Sequence, residues 1–154
     1  MGGLKKFSNN KRNTCYNIKI FCRGKLMVKY DEYLGQMVNK KATTNWTYAF
    51  IGLQTGMTRQ NAHKIIKSKC MGSEESYFAL DTLFQNGFTF AQYIRQFLDI
   101  TLKLGITTGF IAKMIDMTEI EIREIFECKR IPHLSTINKL EGVFLEWEVQ
   151  NTTK

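Results

Sequence analysis

The spacing of apolar residues predicts two series of short helices along the chain. In the later series, the buried face of a first helix is marked at helical intervals by Tyr93, Ile94, Phe97, Leu98 and Thr101. Gly105 predicts the end of that helix, and either Thr107 or Thr108 is a suitable N-cap for a second one. This pattern is typical of amphipathic helices that bury one face against a core.

Three more helices are expected in the later series. Asp116-Met117 forms a tight break after the second helix, Thr118 is the predicted N-cap of a third, and a fourth starts near Ser135, after Pro132. The residues expected on the inward faces of these helices are Phe110, Ile111, Ile115, Ile122, Ile125, Ile137 and Leu140. Each helix is too short to be stable without packing against the others.

The earlier part of the chain repeats this order. A first helix is predicted over about residues 29–42 and a second over 45–55, followed by a turn at Gly56-Met57. Thr58 opens a third helix, and a fourth starts near Ser73, whose following acidic residues suit the positive end of a helix.

The two series are related by an internal repeat. A shift of 60 residues aligns 31–84 with 91–144 without a gap and yields 11 identical pairs in 54 positions, where typical residue frequencies predict about 3 or 4. The identical pairs are Tyr33/Tyr93, Gln36/Gln96, Thr47/Thr107, Phe50/Phe110, Ile51/Ile111, Met57/Met117, Thr58/Thr118, Ile65/Ile125, Lys69/Lys129, Leu80/Leu140 and Phe84/Phe144. A duplicated unit explains this best.

Charge is divided unevenly between the two ends of the chain. Residues 1–70 hold 14 Lys and Arg against Asp31 and Glu32, a net charge of +12, whereas residues 71–154 hold 8 Lys and Arg against 12 Asp and Glu, a net charge of −4. Such asymmetry suggests that the first part meets a polyanion and the second does not.

The later series also resembles a known family. The segment from Ile106 to Leu140 is similar to the XRE-like helix-turn-helix family of Cro and phage-repressor type, and the Lys129-Arg130-x-Pro132-x-Leu134 segment matches the link into that family's fourth helix. The core positions that this resemblance implies are all apolar here: Ile111, Ala112, Ile115, Met117, Ile122, Ile125, Leu134, Ile137 and Leu140.

The earlier series resembles the same family through the segment Ile51 to Lys69. Gly52 stands where two helices need a small residue, and Gly56 where the turn needs a positive φ, which Asp116 also tolerates in the second copy. Thr55 and Glu74 depart from apolar positions, so this copy is expected to pack less tightly. The two matches together cover roughly residues 29–146.

The expected fold is therefore all-α, with two tandem helix-turn-helix units of four to five helices each. The expected division is a basic arm or short hairpin over 1–28, a first unit over 29–86, a second over 87–148 and a tail over 149–154. Residues 16–29 fit a short basic β-hairpin, residues 1–14 fit a cationic arm that follows DNA, and a disordered extension fits equally well.

The resemblance implies that the third helix of the first unit enters the DNA major groove. Arg can pair with guanine, and Gln and Asn with adenine, whereas Lys, Thr and Tyr can hold phosphates. The residues expected to bind DNA are Tyr48, Thr58, Arg59, Gln60, Asn61, His63, Lys64, Lys67 and Lys69. A solvated polar face without this function is the alternative.

The equivalent helix of the second unit is acidic. Its carboxylates would be repelled by phosphates, so this unit is expected to have lost DNA reading and to serve dimerisation or binding of another protein. The residues expected to contact a partner are Glu119, Ile120, Glu121 and Glu124. The apolar end of the chain, from Ile137 to Trp147, either buries a homodimer contact or closes the second core.

Enzymatic chemistry finds little support in the sequence. Cys15, Cys22, Cys70 and Cys128 form no CxxC pair, and neither His63 nor His133 lies at a metal-finger spacing from them. No phosphate-binding glycine loop, membrane span or secretory signal is recognisable. We therefore expect no enzyme activity, no cofactor, no metal and a cytoplasmic location.

The function expected from the family resemblance is transcriptional regulation. The leading hypothesis is a sequence-specific repressor of phage or mobile-element type that binds double-stranded DNA as a homodimer. The alternative is a protein-binding inhibitor, such as an anti-CRISPR or anti-repressor protein, that acts on a host protein through the acidic second unit and also regulates its own promoter.

Overall fold

The computed structural model describes residues 27–152, and within them all regular secondary structure is α-helical. The helices are α1 (Tyr30–Thr44), α2 (Tyr48–Thr55), α3 (Arg59–Ile66), α4 (Glu74–Phe84), α5 (Phe90–Leu104), α6 (Thr108–Ile115), α7 (Glu119–Phe126) and α8 (Leu134–Thr152). The all-α expectation is confirmed for this part of the chain. The basic arm and nearly all of the predicted hairpin lie outside the described residues, and Met27 to Lys29 are non-helical.

Helix boundaries recur with the offset predicted from the sequence. The first three helices, α1 to α3, start and end 60 residues before α5 to α7, and α4 starts 60 residues before α8. The residues with left-handed backbone recur in the same way, as the pairs Asn45/Gly105, Gly56/Asp116 and Ser68/Cys128. We refer to α1–α4 as the first helix set and to α5–α8 as the second helix set.

Hydroxyl side chains cap the short helices at their N-termini. The side-chain oxygens of Thr47, Thr58 and Ser73 accept from backbone N–H groups in the first turns of α2, α3 and α4. Thr107 and Thr118 do the same for α6 and α7, so Thr107 rather than Thr108 is the cap. Because Asn45 ends α1 in the left-handed conformation and Thr47 opens α2, the second helix starts later than predicted.

Most residues predicted to face inward lie in one continuous hydrophobic core, whereas Phe110 of α6, also expected inward, is 42% exposed because it lies on the outer side of that helix. Seven of the nine core positions expected in the second set are buried, whereas Met117 and Leu134 are only partly buried against the core. In the first set, the two positions that depart from the apolar pattern are not fully buried. Thr55 is half-buried and donates its hydroxyl to the carbonyl of Ile51 at 2.7 Å, and Glu74 is exposed.

The C-terminal helix closes this core. Ile137, Leu140, Val143 and Phe144 of α8 are buried within the chain, and Leu145 and Trp147 are partly buried. Of the two roles predicted for these residues, the structure supports closure of the second core. None of the helices in residues 27–152 is both long enough and apolar enough to span a bilayer.

Glutamine side chains pair with backbone groups across the two helix sets. Gln36 of α1 donates from Nε2 to the carbonyl of Phe88 at 2.7 Å and accepts from its N–H at 3.0 Å. Gln96 of α5 donates to the carbonyl of Val28 at 2.7 Å and accepts from its N–H at 2.8 Å. These bonds, buried for Gln96 and partly buried for Gln36, join the start of each set to the first helix of the other.

Two carboxyl groups hold the same junction. Asp81 of α4 accepts from the Tyr33 hydroxyl at 2.8 Å and from the Phe90 N–H at 3.0 Å. Glu141 of α8 accepts from the Tyr93 hydroxyl at 2.6 Å and from the Tyr30 N–H. Burial raises the pKa of both carboxyl groups, although the donated hydrogen bonds oppose the shift.

Candidate nucleic-acid interface

The interface expected to bind DNA is built around the turn between α2 and α3. Gly56 adopts φ +77°, and the Met57 N–H bonds to the carbonyl of Gly52 at 2.8 Å. A Cβ on Gly52 would lie 2.7 Å from the Met57 carbonyl oxygen, so α2 approaches the turn more closely than a larger residue allows. Both sequence-based expectations for these glycines are confirmed, and the contact sets where α3 begins.

The exposed side of α3 carries polar and cationic side chains. Thr58, Arg59, Gln60, Lys64, Lys67 and Lys69 are exposed, and Asn61 and His63 are half-buried. Lys67 caps the C-terminus of α3 and Lys69 lies in the following link, so these two lie apart from the first turn of the helix.

Several of the predicted DNA-binding residues line two separate surface hollows. Thr58, Gln60, Asn61 and Lys64 line one hollow, together with Ser76 at the start of α4. Tyr48 and Arg59 line a second hollow that extends over the end of α1 to Lys41. The structure therefore brings the α3 side chains together with residues from three other helices.

Tyr48 is positioned by two neighbours. Its ring lies edge-on to the His63 ring, with centroids 4.8 Å apart, and the Lys41 ammonium lies 4.4 Å from its centroid. Partial burial raises the pKa of the Tyr48 hydroxyl, which therefore stays protonated and able to donate near neutral pH. Sequence reasoning missed Lys41, whose only signal is its place in the basic last turn of α1.

Four cations of this face have no carboxylate partner among the described residues. Within residues 27–152 no carboxylate oxygen lies within 4.0 Å of the charged nitrogens of Arg59, Lys64, Lys67 or Lys69. Their positive charge is therefore directed to solvent, where an anionic ligand can approach.

The equivalent face of the second helix set contains several ion pairs. Glu119 pairs with Arg123 at 2.9 Å and accepts from the Thr108 hydroxyl at 2.8 Å. Arg130 bridges two further carboxylates, with its guanidinium 3.2 Å from Glu121 and 2.9 Å from Glu124. The acidic helix predicted from the sequence is thus largely balanced by cations, a feature that helix periodicity did not reveal.

The residues predicted to contact a protein partner fall into two groups. Glu121 and Glu124 meet at Arg130, whereas Glu119 is held by Arg123 on another side. Ile120, which follows Glu119 on α7, is 67% exposed. Backbone and side-chain hydrogen bonds from Thr118, aided by Arg130, lower the pKa of Glu121, which caps α7.

The remaining chemistry-bearing residues form no assembled site. Cys70 and Cys128 are half-buried free thiols, and burial raises the pKa of Cys128. Among the described residues, no group of three or more His, Cys, Asp and Glu side chains is arranged to hold a metal ion.

Comparison with known proteins identifies no relative. No family model, no curated protein and no solved structure matches the chain. The similarity to the XRE-like family accordingly rests on the residues and spacings of this sequence.

Proposed function

We propose that the protein is a sequence-specific DNA-binding transcriptional regulator, a repressor of the type carried by phages and other mobile elements, acting in the cytoplasm. In this proposal α2, the turn and α3 form a helix-turn-helix of the XRE-like family, and α3 enters the major groove. The second helix set contains a related helix-turn-helix unit, α6 and α7, that does not read bases.

The observation that carries the proposal is the unpaired cationic surface of α3. Arg59 and Gln60 extend from the first turn of the helix, where base-reading side chains of such motifs lie. Lys64 and Lys67 continue the positive surface along the helix, and the described residues supply them with no carboxylate partner. Positive charge directed to solvent on a helix that also carries Gln and Asn suits phosphate contact and base reading together.

A contrast within the same chain supports the assignment. At the positions 60 residues later, Glu119 and Ile120 replace Arg59 and Gln60, and the Thr108 hydroxyl that replaces Tyr48 is bonded to Glu119. Because the backbone elements match, the difference between α3 and α7 lies in surface chemistry, which favours DNA binding by α3 alone.

The test is an anisotropy titration at several salt concentrations with an oligonucleotide selected from a random pool. Arg59→Ala or Gln60→Ala should cost about 1–3 kcal/mol on the selected sequence and much less on random DNA. Lys64→Ala should weaken binding to both DNAs, and it should reduce the slope of log affinity against log salt concentration by about one.

The matched control is Ile120→Ala, which changes the position equivalent to Gln60 and should leave DNA affinity unchanged. Equal losses on selected and random DNA for Arg59→Ala, Gln60→Ala and Lys64→Ala would reject base reading by α3. Failure of the wild-type protein to select any sequence would reject the proposed function itself.

A protein-binding inhibitor of the anti-CRISPR or anti-repressor kind is the second candidate. It is favoured by Ile120, which is 67% exposed among carboxylates on α7, because an exposed apolar side chain ringed by charge suits a protein interface. Ile120→Arg should then abolish inhibition of the partner while DNA binding persists. This variant is a cleaner probe than charge reversal at Glu121, whose side chain also caps α7.

A further inference from the structure

The hydrogen bonds that join the two helix sets occur in matched pairs. The amide of Gln36 holds both backbone groups of Phe88, and the amide of Gln96 holds both backbone groups of Val28. Gln36 and Gln96 are equivalent in the 60-residue repeat, and so are Val28 and Phe88. Each set therefore binds the other through a glutamine at the same position of the repeat. Such equivalent contacts in both directions are typical of a twofold interface.

The carboxyl groups of Asp81 and Glu141 also make equivalent contacts with the opposite set. Asp81 of the first set accepts from the backbone N–H of Phe90 in the second set, and Glu141 of the second set accepts from the backbone N–H of Tyr30 in the first. These two donors are also equivalent in the repeat, as are the two acceptors. The contacts of four residues therefore follow one twofold relation between the sets: those of Gln36 correspond to those of Gln96, and those of Asp81 to those of Glu141.

Aromatic packing locates the symmetry axis. Tyr30 lies 5.5 Å from Tyr93, and the equivalent pair, Tyr33 and Phe90, lies 5.8 Å apart. Tyr33 and Tyr93, which exchange with each other, are stacked with centroids 6.3 Å apart. A contact that maps onto itself lies on the axis, which therefore passes between α1 and α5 at this pair.

This junction has the character of a protein interior. Tyr33 and Tyr93 are fully buried, and Gln96 is 6% exposed with both ends of its amide bonded. Apolar contact of this quality is typical of obligate dimers, whose interfaces resemble a divided core. Here the same kind of interface lies within one chain.

We propose that the chain is an intramolecular pseudo-dimer and that one chain alone occupies its DNA site, reading a single, non-palindromic element with α3. This inference rests on the proposed function for its DNA part, whereas the internal pairing follows from the contacts above. The surface that two identical single-unit subunits would use to associate is already filled by the second helix set, so the homodimer expected from the family resemblance is not needed.

Covalent fusion explains why the two copies differ. Identical subunits must present identical recognition helices and therefore bind symmetric DNA. In one chain the equivalent helices are free to diverge, and α3 and α7 differ at every position expected to reach bases, including Arg59/Glu119, Gln60/Ile120 and Asn61/Glu121. The pairing itself has also become asymmetric, since Tyr77 stacks on Phe90 at 3.7 Å where the second set has Ile137.

The experiment has one arm without DNA and one with it. Sedimentation equilibrium of the full chain should give a mass of 17.9 kDa over a wide concentration range, and a stable species of twice that mass would overturn the proposal that one chain acts alone. Selection from a random DNA pool, followed by mass measurement of the complex, should give an asymmetric motif bound by one chain.

A palindromic motif occupied by two chains would overturn the single-chain proposal. Recovery of no motif would reject the proposed function, while the mass without DNA would still decide whether the chain is a monomer. As a matched pair of variants, Arg59→Ala should weaken binding to the motif by about 5- to 150-fold, and Arg123→Ala on α7 should leave the motif and the one-to-one stoichiometry unchanged.

Discussion

Asp81, which is half-buried, and Glu141, which is buried, lie at equivalent positions of the junction between the helix sets. Each accepts from a tyrosine hydroxyl and from a backbone N–H of the opposite helix set. The donors favour the charged form, but the loss of water outweighs them, so burial raises the pKa of both groups. These acids therefore tie stability to pH.

Stability is expected to fall as pH rises above the unfolded-state pKa of Asp81, which is about 3.9. A folded pKa raised above that value means that the native state binds the proton more tightly, and this advantage is lost as pH passes the raised pKa. In urea unfolding at a series of pH values, the stability of wild type relative to Asp81→Asn should decline from acid toward neutral pH.

Glu141→Gln should show the same trend, because the two carboxyl groups occupy equivalent places. Glu75→Gln, on an exposed part of the same helix as Asp81, is the control for loss of a carboxyl charge. A wild-type advantage that grows with pH would show that the hydrogen-bond donors, and not burial, control these groups.

Helix α2 meets the turn before α3 at Gly52, and the same junction in the second set holds Ala112. Both small residues are buried and accept from the turn, through Met57 N–H at 2.8 Å and Met117 N–H at 2.9 Å. Since Cβ fits in one copy and would collide with backbone in the other, the two turns approach their helices differently.

We expect Gly52→Ala to destabilise the protein by roughly 1–3 kcal/mol through overpacking, in spite of the better helix propensity of alanine. The matched change Ala112→Gly should cost about 1–2 kcal/mol, from chain entropy and the loss of a buried methyl group. Urea unfolding of both variants measures the difference, and a neutral or stabilising Gly52→Ala would show that the turn yields at little cost.

The whole molecule is held by one core shared between the two helix sets. Aromatic rings from α1, α4 and α5 pack together across the junction, and the hydrogen bonds of Gln36 and Gln96 connect its two sides. Such extensive buried contact couples the two sets in folding, although each has a helix arrangement of its own.

A single unfolding transition is therefore expected. Ile65→Ala in α3 and Ile125→Ala in α7 are matched changes of fully buried residues and should each cost about 2–5 kcal/mol. Calorimetry should show each variant lowering the midpoint of one common transition. Two transitions, each sensitive to only one variant, would show that the helix sets unfold independently.

Much of the fold could be predicted because its signals are local. Thr58, Ser73 and Thr118 cap helices where expected, since a hydroxyl, a helix start and a preceding turn lie within a few residues. The exposure of Arg59 and Gln60 follows from helix periodicity in the same way. The predicted start of α2 was wrong by three residues, because Asn45 was placed inside the helix although Asn tolerates the left-handed conformation and aligns with Gly105 in the repeat.

Composition and periodicity were enough to specify which segments are helical, where they stop, that they repeat and which face of α3 meets solvent, because those properties depend on neighbours within a turn or two. Three features arose only on folding: the ion pairs that balance the acidic charge of α7, the contact between Lys41 and Tyr48, and the bonds that Gln36 and Gln96 form between the two helix sets. The Gln36 and Gln96 bonds join residues 52 and 68 positions apart. The Arg130 ion pairs and the Lys41–Tyr48 contact join residues close in sequence, but they form across the end of a helix and the link beyond it, whose geometry helix periodicity does not specify.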